Sequence, residues 1–175
     1  MTRKLGVVMD PIQSIKPKKD STLAMLLAAR ARGWTVHYME LDDLFIANGE
    51  VYARQRELDV HDDLENWFEL GPAVTQPLSL LDCILMRKDP PFDMEFLYAT
   101  YILELAEMAG TPVFHRPGSI RDCNEKLFAL QFPQCCPPHV VTRNQAVLRD
   151  FFREHGDVIY KPLDGMGGAS IFHVA

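Results

Sequence analysis

Apolar runs and amphipathic helical patterns alternate along the first part of the chain. The pattern predicts four buried strands: Lys4–Met9, Thr35–Glu40, Cys83–Met86 and Pro112–His115. Asp20 or Ser21 caps a predicted helix that ends at Gly33 and joins the first two strands. A second predicted helix ends at Gly110 and joins the last two. This order of strand, helix and strand predicts a parallel sheet with right-handed crossovers.

The second of these helices carries a stripe of apolar residues. Its members recur every three to four positions: Met94, Tyr98, Tyr101, Leu105 and Met108. This spacing places all of the stripe on one face of a helix. The segment before Gly110 is therefore predicted to be helical.

An antiparallel excursion interrupts the alternation. Asn48-Gly49 lies between apolar or alternating runs, and this dipeptide strongly favours a two-residue hairpin turn. The hairpin is predicted over residues 44–58. The acidic stretch Asp59–Glu69 is predicted to be an exposed connection that contains a short helix.

The order of elements changes in the last third of the chain. Capping-box patterns at Asp122–Glu125 and Thr142–Gln145 predict two helices, the second closed by Gly156. Val158–Lys161 and Ala169–Val174 are predicted strands, and a glycine-rich loop separates them. A strand pair beside helices is typical of an α+β unit.

These patterns predict an α/β protein of two parts. Residues 1–122 are predicted to form an N-terminal α/β domain with a parallel, Rossmann-like sheet, and residues 123–175 to form the first part of an α+β domain. The hydrophobic content of 47% is enough for a core of ordinary size.

The composition argues against several classes of partner. A formal net charge of −6 disfavours general binding to nucleic acid or to anionic membranes. No apolar stretch approaches the roughly 20 residues of a membrane helix, and no signal peptide precedes the first strand. We therefore expect a cytoplasmic protein without nucleic-acid or membrane partners.

The cysteines and histidines show no metal-ligand pattern. The four cysteines are Cys83, Cys123, Cys135 and Cys136, and none forms a C-x-x-C pair. Cys135 and Cys136 are adjacent, which is a poor geometry for two ligands of one metal or for an ordinary disulfide. We expect free thiols in a reducing compartment and no metal site within this chain.

Charged residues follow three of the predicted parallel strands, and a proline follows each group within three residues. They are Asp10, Arg87, Lys88 and Arg116. Ligands of open α/β sheets bind beyond the carboxyl ends of the strands, so these side chains could converge on one zwitterionic ligand. The alternative is that turn residues are commonly polar and that proline only ends the strands.

The glycine-rich loop carries a sharper signal. It runs from Lys161 to Ser170 and has three glycines within four positions. Backbone N–H groups of such a loop can surround phosphate oxygens, and Lys161 can add an ammonium group. The loop matches neither a Walker A motif nor the dinucleotide fingerprint, and a plain hairpin turn is the alternative. By pattern alone, Lys126 is an exposed helical lysine.

Five motifs follow one another along the chain: Val8–Pro11, Lys19–Ser21, Leu85–Asp93, Arg121–Leu127 and Lys161–Ser170. In order and spacing they resemble the bacterial glutathione synthetases, a family of the ATP-grasp superfamily. The likeness covers the whole chain and matches the N-terminal portion of that family. It implies a pre-ATP-grasp domain followed by the start of the central ATP-grasp domain. The glycine loop alone would indicate only the superfamily.

The resemblance implies an ATP-dependent ligase that joins γ-glutamylcysteine to glycine. ATP phosphorylates the cysteinyl carboxylate, and the glycine amine then displaces phosphate from the acyl phosphate. The implied cofactors are ATP and Mg²⁺, with Mn²⁺ as an alternative metal. Such chemistry needs positioning and charge stabilisation rather than a protein nucleophile, and no catalytic residue is assigned within this chain.

The resemblance also implies binding residues and an assembly. The residues implied to contact ATP are Lys126, Lys161 and the loop residues Asp164, Gly165, Met166, Gly167 and Gly168. Arg87 is implied to hold the carboxylate of the peptide substrate. A homo-oligomer is the implied assembly.

The family that these motifs resemble continues well beyond this chain. Its further part supplies the second half of the ATP grip and the metal ligands, so these 175 residues alone are predicted to be inactive and to bind ATP weakly. Another ATP-grasp carboxylate–amine ligase and a non-catalytic fragment are the alternatives. The Arg-Lys-Asp-Pro-Pro and Asn-Glu-Lys motifs count against the other ligase, because a protein that shares only the glycine loop would not be expected to contain them.

Overall fold

The computed structural model describes residues 2–165 and 167–175, which divide into two units. The first unit comprises the chain up to Asp89 together with Asp93–Arg121. The second comprises Pro90–Phe92 and Asp122–Ala175.

A mixed sheet forms the centre of the first unit. Its seven strands, among the described residues, are β1 (Lys4–Val8), β2 (Thr35–Met39), β3 (Leu44–Ala47), β4 (Glu50–Val60), β5 (Phe68–Pro77), β6 (Cys83–Met86) and β7 (Val113–Phe114). The order is β3-β4-β2-β1-β6-β7, and β5 pairs with β4. Strands β2, β1, β6 and β7 are parallel, whereas β4 is antiparallel to β2, β3 and β5. The predicted α/β class with a parallel sheet is confirmed.

Helices connect the parallel strands at the places that the sequence predicted. They are α1 (Ser21–Ala31) and α2 (Met94–Met108), whereas the short α3 (Pro117–Asp122) follows β7 and was not predicted. Asp20 caps α1 by accepting a hydrogen bond from the Leu23 amide at 2.7 Å. Asp93 caps α2 in the same way through the Phe96 amide, at 2.9 Å. Helix α1 therefore links β1 to β2, and α2 links β6 to β7.

Strand β1 is buried on both faces, as expected of a central parallel strand. Leu5 and Val7 belong to a core cluster that includes Leu26 of α1. Gly6 lies on the opposite face, where an added Cβ would stand 2.7 Å from the Leu81 side chain. The tight packing on both sides fixes the carboxyl end of β1, where the first candidate site begins.

The hairpin turn at Asn48-Gly49 is confirmed. Asn48 has φ 52° and Gly49 has φ 80°, the left-handed values of a turn that suits twisted hairpin strands. Strand β4 then continues to Val60, beyond the predicted end of the hairpin, and pairs with β5. Strand β5 was not predicted.

The predicted short helix in the acidic stretch is wrong. Residues 61–67 form bends between β4 and β5. The Asp63 carboxylate accepts hydrogen bonds from the Glu65 and Asn66 amides at 2.7 and 2.8 Å. These local bonds offer the backbone an alternative to a helix.

Helix α2 confirms the predicted helix, but its apolar stripe faces away from the sheet. The members of the stripe, Met94, Tyr98, Tyr101, Leu105 and Met108, are between 42% and 78% exposed. Phe96, Ala99 and Leu103 form the buried face instead. A broad apolar surface therefore lies on the outside of the first unit.

The second unit contains α4 (Gln145–His155) and an antiparallel pair of strands, β8 (Val158–Tyr160) and β9 (Phe172–Val174). Asn144 rather than Thr142 caps α4, because its side chain accepts a hydrogen bond from the Ala146 amide. Gly156 ends α4 with φ 70°, as its position in the sequence predicted.

The predicted helix after the Asp122–Glu125 capping box is wrong. Helix α3 already ends at Asp122, and the following residues form a turn and short 3₁₀ segments. The Asn124 side chain accepts hydrogen bonds from the Lys126 and Leu127 amides at 3.0 and 3.1 Å. This turn takes the place of the first helical turn.

Candidate functional site

The glycine-rich loop of the second unit is bonded to the turn that carries Lys126. The Lys126 ammonium donates a hydrogen bond to the Gly165 carbonyl oxygen at 2.7 Å and pairs with the Glu125 carboxylate. The Asn124 amide nitrogen donates to the Leu163 carbonyl oxygen at 2.9 Å. Two side chains of one turn therefore hold the start of the loop.

A concave surface of about 220 Å³ lies where the loop and the turn meet. It is lined by Glu125, Lys126, Lys161, Pro162, Gly165, Gly167, Gly168, Ala169 and Ile171. Gly167 and Gly168 have φ values of 67° and 84°, which favour glycine. Ammonium groups beside a bend of exposed backbone form a surface suited to phosphate.

Most of the residues implied to bind ATP meet on this surface. They are Lys126, Lys161, Gly165, Gly167 and Gly168. Asp164 does not line it, and its carbonyl oxygen accepts a hydrogen bond from the Phe92 amide at 3.4 Å. Met166 lies outside the described residues.

Glu125 is the one carboxylate that lines this surface among the described residues. It pairs with the Lys126 ammonium, so the two charges largely cancel. A phosphate placed on this surface would compete with Glu125 for Lys126. The exposed Lys161 contributes a further positive charge at the end of β8.

The first unit has a cavity of its own, of about 140 Å³, beyond the carboxyl ends of β1 and β6. It is lined by Met9, Asp10, Ile15, Lys19, Asp20, Ser21, Thr22, Arg87 and Asp89. The Arg87 guanidinium donates to Thr22 Oγ1 through Nε and to Ser21 Oγ through Nη2, both at 3.0 Å. Arg87 is therefore held at the first turn of α1, where helix amides also favour a negative charge.

The predicted four-way convergence at the strand ends is partly wrong. Lys88 forms an ion pair with Asp10 at 2.8 Å, and the Asp10 carboxylate also accepts from the Asp89 amide at 2.8 Å. These bonds tie the ends of β1 and β6 together beside Arg87. Arg116 pairs with Glu107 at 3.5 Å instead, because its loop carries it out into solvent with 77% of the side chain exposed.

Tyr38 supports the loop that follows β1. Its hydroxyl donates to the Glu40 carboxylate and accepts from the Ile12 amide, at 3.2 Å. Burial, and then the hydrogen bond to Glu40, raise the pKa of Tyr38 well above its ordinary range. The phenol therefore remains a protonated donor to Glu40 at neutral pH.

Sequence reasoning missed the residues that support these side chains. Ser21 and Thr22 hold Arg87, and Asn124 holds the glycine loop. Ser21 and Asn124 belong to the Lys-Asp-Ser and Asn-Glu-Lys motifs, and Thr22 directly follows the first of these motifs. A motif shows that residues occur together but does not show which distant partner they meet.

Family models match almost the whole chain. The model of the prokaryotic glutathione synthetase N-terminal domain matches residues 3–121, and the model of that family's ATP-grasp domain matches residues 125–175. The chain belongs to the prokaryotic glutathione synthetase family. The Arg87 cavity lies within the first match, and the Lys126 and glycine-loop surface lies within the second.

Curated relatives in this family are similar over nearly the full chain. The glutathione synthetase of Pseudomonas putida is 60% identical over 172 residues, which cover 98% of this chain and 54% of the relative. The glutathione synthetase of Yersinia pestis is 58% identical over 171 residues, with the same coverage. The chain thus spans about half the length of the curated relatives that it matches.

A solved structure shares the fold. It is that of the ATP-grasp ligase PsnB with a phosphomimetic variant of a minimal precursor, Mg and ADP. The match has a TM-score of 0.50 at 20% identity and covers 98% of this chain and 57% of PsnB. This likeness supports the ATP-grasp fold alone.

No group of three or more His, Cys, Asp or Glu side chains in residues 2–165 and 167–175 is placed to hold a metal ion. No helix in the same part of the chain is long and apolar enough to cross a membrane.

Proposed function

We propose that the native gene product is a glutathione synthase, an ATP-dependent ligase that joins γ-glutamylcysteine to glycine. Membership of the prokaryotic glutathione synthetase family supports the reaction. The structural observation that carries the proposal is the bond from the Lys126 ammonium to Gly165, which joins the turn that carries Lys126 to the glycine loop. Lys161 lines the same surface.

In this function the second unit holds ATP. Lys126 and Lys161 neutralise charge on the phosphates, and backbone N–H groups of the loop from Asp164 to Gly168, which includes Met166, surround their oxygens. Bound Mg²⁺, or Mn²⁺ in its place, neutralises further phosphate charge. We assign no metal ligand and no catalytic residue within this chain.

The first unit holds the peptide substrate. Arg87 binds a carboxylate of γ-glutamylcysteine, for which its guanidinium is already oriented by two hydroxyls of α1. Asp10, Asp20 and Asp89 line the same cavity and suit an amino group. The cavity therefore offers both charges of a zwitterionic peptide.

Chemistry proceeds on the substrates without a protein nucleophile. The cysteinyl carboxylate oxygen attacks the γ-phosphorus of ATP, which gives an acyl phosphate and ADP. The glycine amine then attacks the acyl carbon, and phosphate leaves as the amide bond forms. The protein contributes charge neutralisation and orientation.

We propose that residues 1–122 act as the substrate-side domain and that residues 123–175 begin the domain that grips ATP. The relatives are about twice as long as the matched stretch. These 175 residues on their own are therefore expected to release no ADP and to bind ATP weakly. We further propose that the protein works in the cytoplasm on small-molecule substrates.

We also propose that the protein is a homo-oligomer in which the stripe on α2 pairs with its own copy. Around Tyr101 the stripe is nearly symmetric, because Tyr98 and Leu105 lie three and four residues away and Met94 and Met108 lie seven away. Two antiparallel copies would therefore place Tyr98 against Leu105 and Met94 against Met108, each contact occurring twice, as a two-fold interface requires.

The decisive test is ADP release by the native gene product with γ-glutamylcysteine and glycine supplied singly and together. Release that needs both substrates, with one glutathione formed per ADP, supports the ligase. Release with a different amine, or with another carboxylate, supports another ATP-grasp carboxylate–amine ligase. No release under any of these conditions contradicts an enzymatic role.

A further inference from the structure

The side-chain amide of Asn124 is used at both of its ends. Its oxygen accepts hydrogen bonds from the Lys126 and Leu127 amides, at 3.0 and 3.1 Å, and so closes the turn. Its nitrogen donates to the Leu163 carbonyl oxygen at 2.9 Å, 39 residues further along the chain. The side chain of Asp or Ser could also accept the hydrogen bonds that close the turn. Asn adds an N–H donor that is long enough to reach the Leu163 carbonyl oxygen.

Lys126 grips the same segment from the same turn. Its ammonium donates to the Gly165 carbonyl oxygen at 2.7 Å, two residues beyond the carbonyl that Asn124 holds. The backbone of the glycine loop is therefore bonded twice, at Leu163 and at Gly165, and Gly165 is the first of the glycines that line the concave surface. A phosphate on that surface would attract the Lys126 ammonium and so weaken its bond to Gly165. The bond from Asn124 to Leu163 carries no charge and would remain.

We propose that Asn124 is a positioning residue for the nucleotide. It keeps the start of the glycine loop beside Lys126 when the ammonium turns from Gly165 to phosphate. This role rests on the proposed binding of ATP at this surface. Without the bond to Leu163, the loop would have to be ordered when the nucleotide binds, and ordering a segment lowers affinity.

The structure supplies matched variants. Asn124→Ser retains a group that can close the turn but cannot reach Leu163, and it adds no charge. Asn124→Asp closes the turn well but replaces the donor with a carboxylate oxygen. Asn144 is the control, because among the described residues its side chain serves only as an acceptor, for the Ala146 amide at the start of α4. Asn144→Ser and Asn144→Asp are both good caps.

The measurements are made on the native gene product. They are the Kd for ATP by titration calorimetry, the KM for ATP and for γ-glutamylcysteine, and the melting temperature. We expect Asn124→Ser and Asn124→Asp each to raise the Kd and KM for ATP roughly five- to tenfold, the effect of one hydrogen bond. The KM for γ-glutamylcysteine should not change, and the melting temperature should fall by less than about 3 °C. Both Asn144 variants should bind ATP as the unsubstituted protein does.

Several results would overturn the inference. Unchanged ATP binding in Asn124→Ser would overturn it. If only Asn124→Asp bound ATP weakly, the inference would also be overturned, because the added negative charge would then be the cause. An equal rise in the KM for ATP and in the KM for γ-glutamylcysteine would indicate a general structural role instead. Intact ATP binding without glutathione formation would contradict the proposed function alone, whereas no ATP binding by the unsubstituted protein would contradict both.

Discussion

Arg87 Nε donates a hydrogen bond to Thr22 Oγ1 at 3.0 Å, although 65 residues separate the two in the sequence. Thr22 lies in the first turn of α1 and is 4% exposed, so its hydroxyl has a fixed position. The guanidinium is held before any ligand arrives. Pre-organisation of this kind lowers the entropy lost on binding.

Thr22→Val should therefore weaken binding of the peptide substrate. Valine keeps the shape of threonine but cannot accept the bond from Arg87. We expect the KM for γ-glutamylcysteine to rise about three- to tenfold, less than the full effect of one charged hydrogen bond because Ser21 still holds the guanidinium, with the KM for ATP unchanged. Steady-state kinetics of the native gene product would measure both constants.

Thr111→Val is the matched control. Thr111 is 3% exposed, and its hydroxyl donates to the Leu78 carbonyl oxygen, away from Arg87. This variant should lose stability without a change in KM for the peptide. A similar rise in KM in both variants would mean that Thr22 acts through general stability and not through Arg87.

The sequence predicted the parts of the fold whose local pattern is strong. Continuous apolar runs marked β1 and β6, and Asn48-Gly49 marked the hairpin turn. Strand β5 was missed because Gly71, Pro72 and Pro77 interrupt its pattern and most of its side chains are not buried. Its pairing with β4, rather than its own composition, makes it a strand.

The candidate sites show the same limit. The glycine loop could be recognised because its composition alone is suited to phosphate. The bonds from Asn124 to Leu163 and from Arg87 to Thr22 could not be predicted, because each joins residues that only the tertiary fold brings together. The error at Arg116 has the same origin, since strand ends on one edge of a sheet can still turn their side chains outward.

Removal of the positive charge at Lys161 should weaken ATP binding. The exposed ammonium lines the concave surface at the end of β8. We expect Lys161→Gln to raise the Kd for ATP roughly tenfold, and the effect to shrink in high salt because exposed charges are screened. Arg143→Gln removes one exposed charge from the same unit and should leave the Kd unchanged. An equal effect of both variants would indicate non-specific attraction.

Acid should destabilise the protein through His37. Burial lowers the pKa of His37 below its ordinary value of 6.5, with Lys4 acting in the same direction and Glu57 opposing it. The unfolded chain therefore binds a proton at higher pH than the folded chain does. The stability from neutral His37 is full above about pH 6.5 and is lost as the pH falls through the lower folded pKa.

This predicts a melting temperature that declines from pH 7 to pH 5 and a shallower decline in His37→Gln. Gln76 Nε2 lies 3.4 Å from His37 Nδ1, and the new amide oxygen could accept from it in the same way. His115→Gln, at an exposed position, should keep the original pH dependence. Identical slopes for His37→Gln and the unsubstituted protein would exclude His37 as the source.

A side chain at Gly49 should destabilise the hairpin turn. With φ at 80°, Gly49 adopts a conformation that alanine reaches only at a cost of about 1–2 kcal/mol. We expect Gly49→Ala to lower the free energy of unfolding by about that amount in urea titrations. Gly118→Ala, within α3, should be neutral or slightly stabilising. A neutral Gly49→Ala would show that the turn can adopt another conformation.

The stripe on α2 predicts the effect of charge on assembly. If two copies pair antiparallel about Tyr101, Tyr98 of one copy lies against Leu105 of the other. Tyr98→Glu should then lower the assembly size in light scattering, because it places a carboxylate in an apolar contact. Met25→Glu is the control, since Met25 is an exposed apolar residue on α1, outside the stripe.

A compensating change tests the pairing itself. Leu105→Lys added to Tyr98→Glu would place opposite charges against each other twice in the two-fold pair, so the double variant should recover part of the lost association. Recovery should weaken at high salt, as charge pairing does. Loss of association in Met25→Glu as well, or no recovery in the double variant, would contradict an antiparallel contact through this stripe. A protein that is monomeric without any substitution would contradict the homo-oligomer itself.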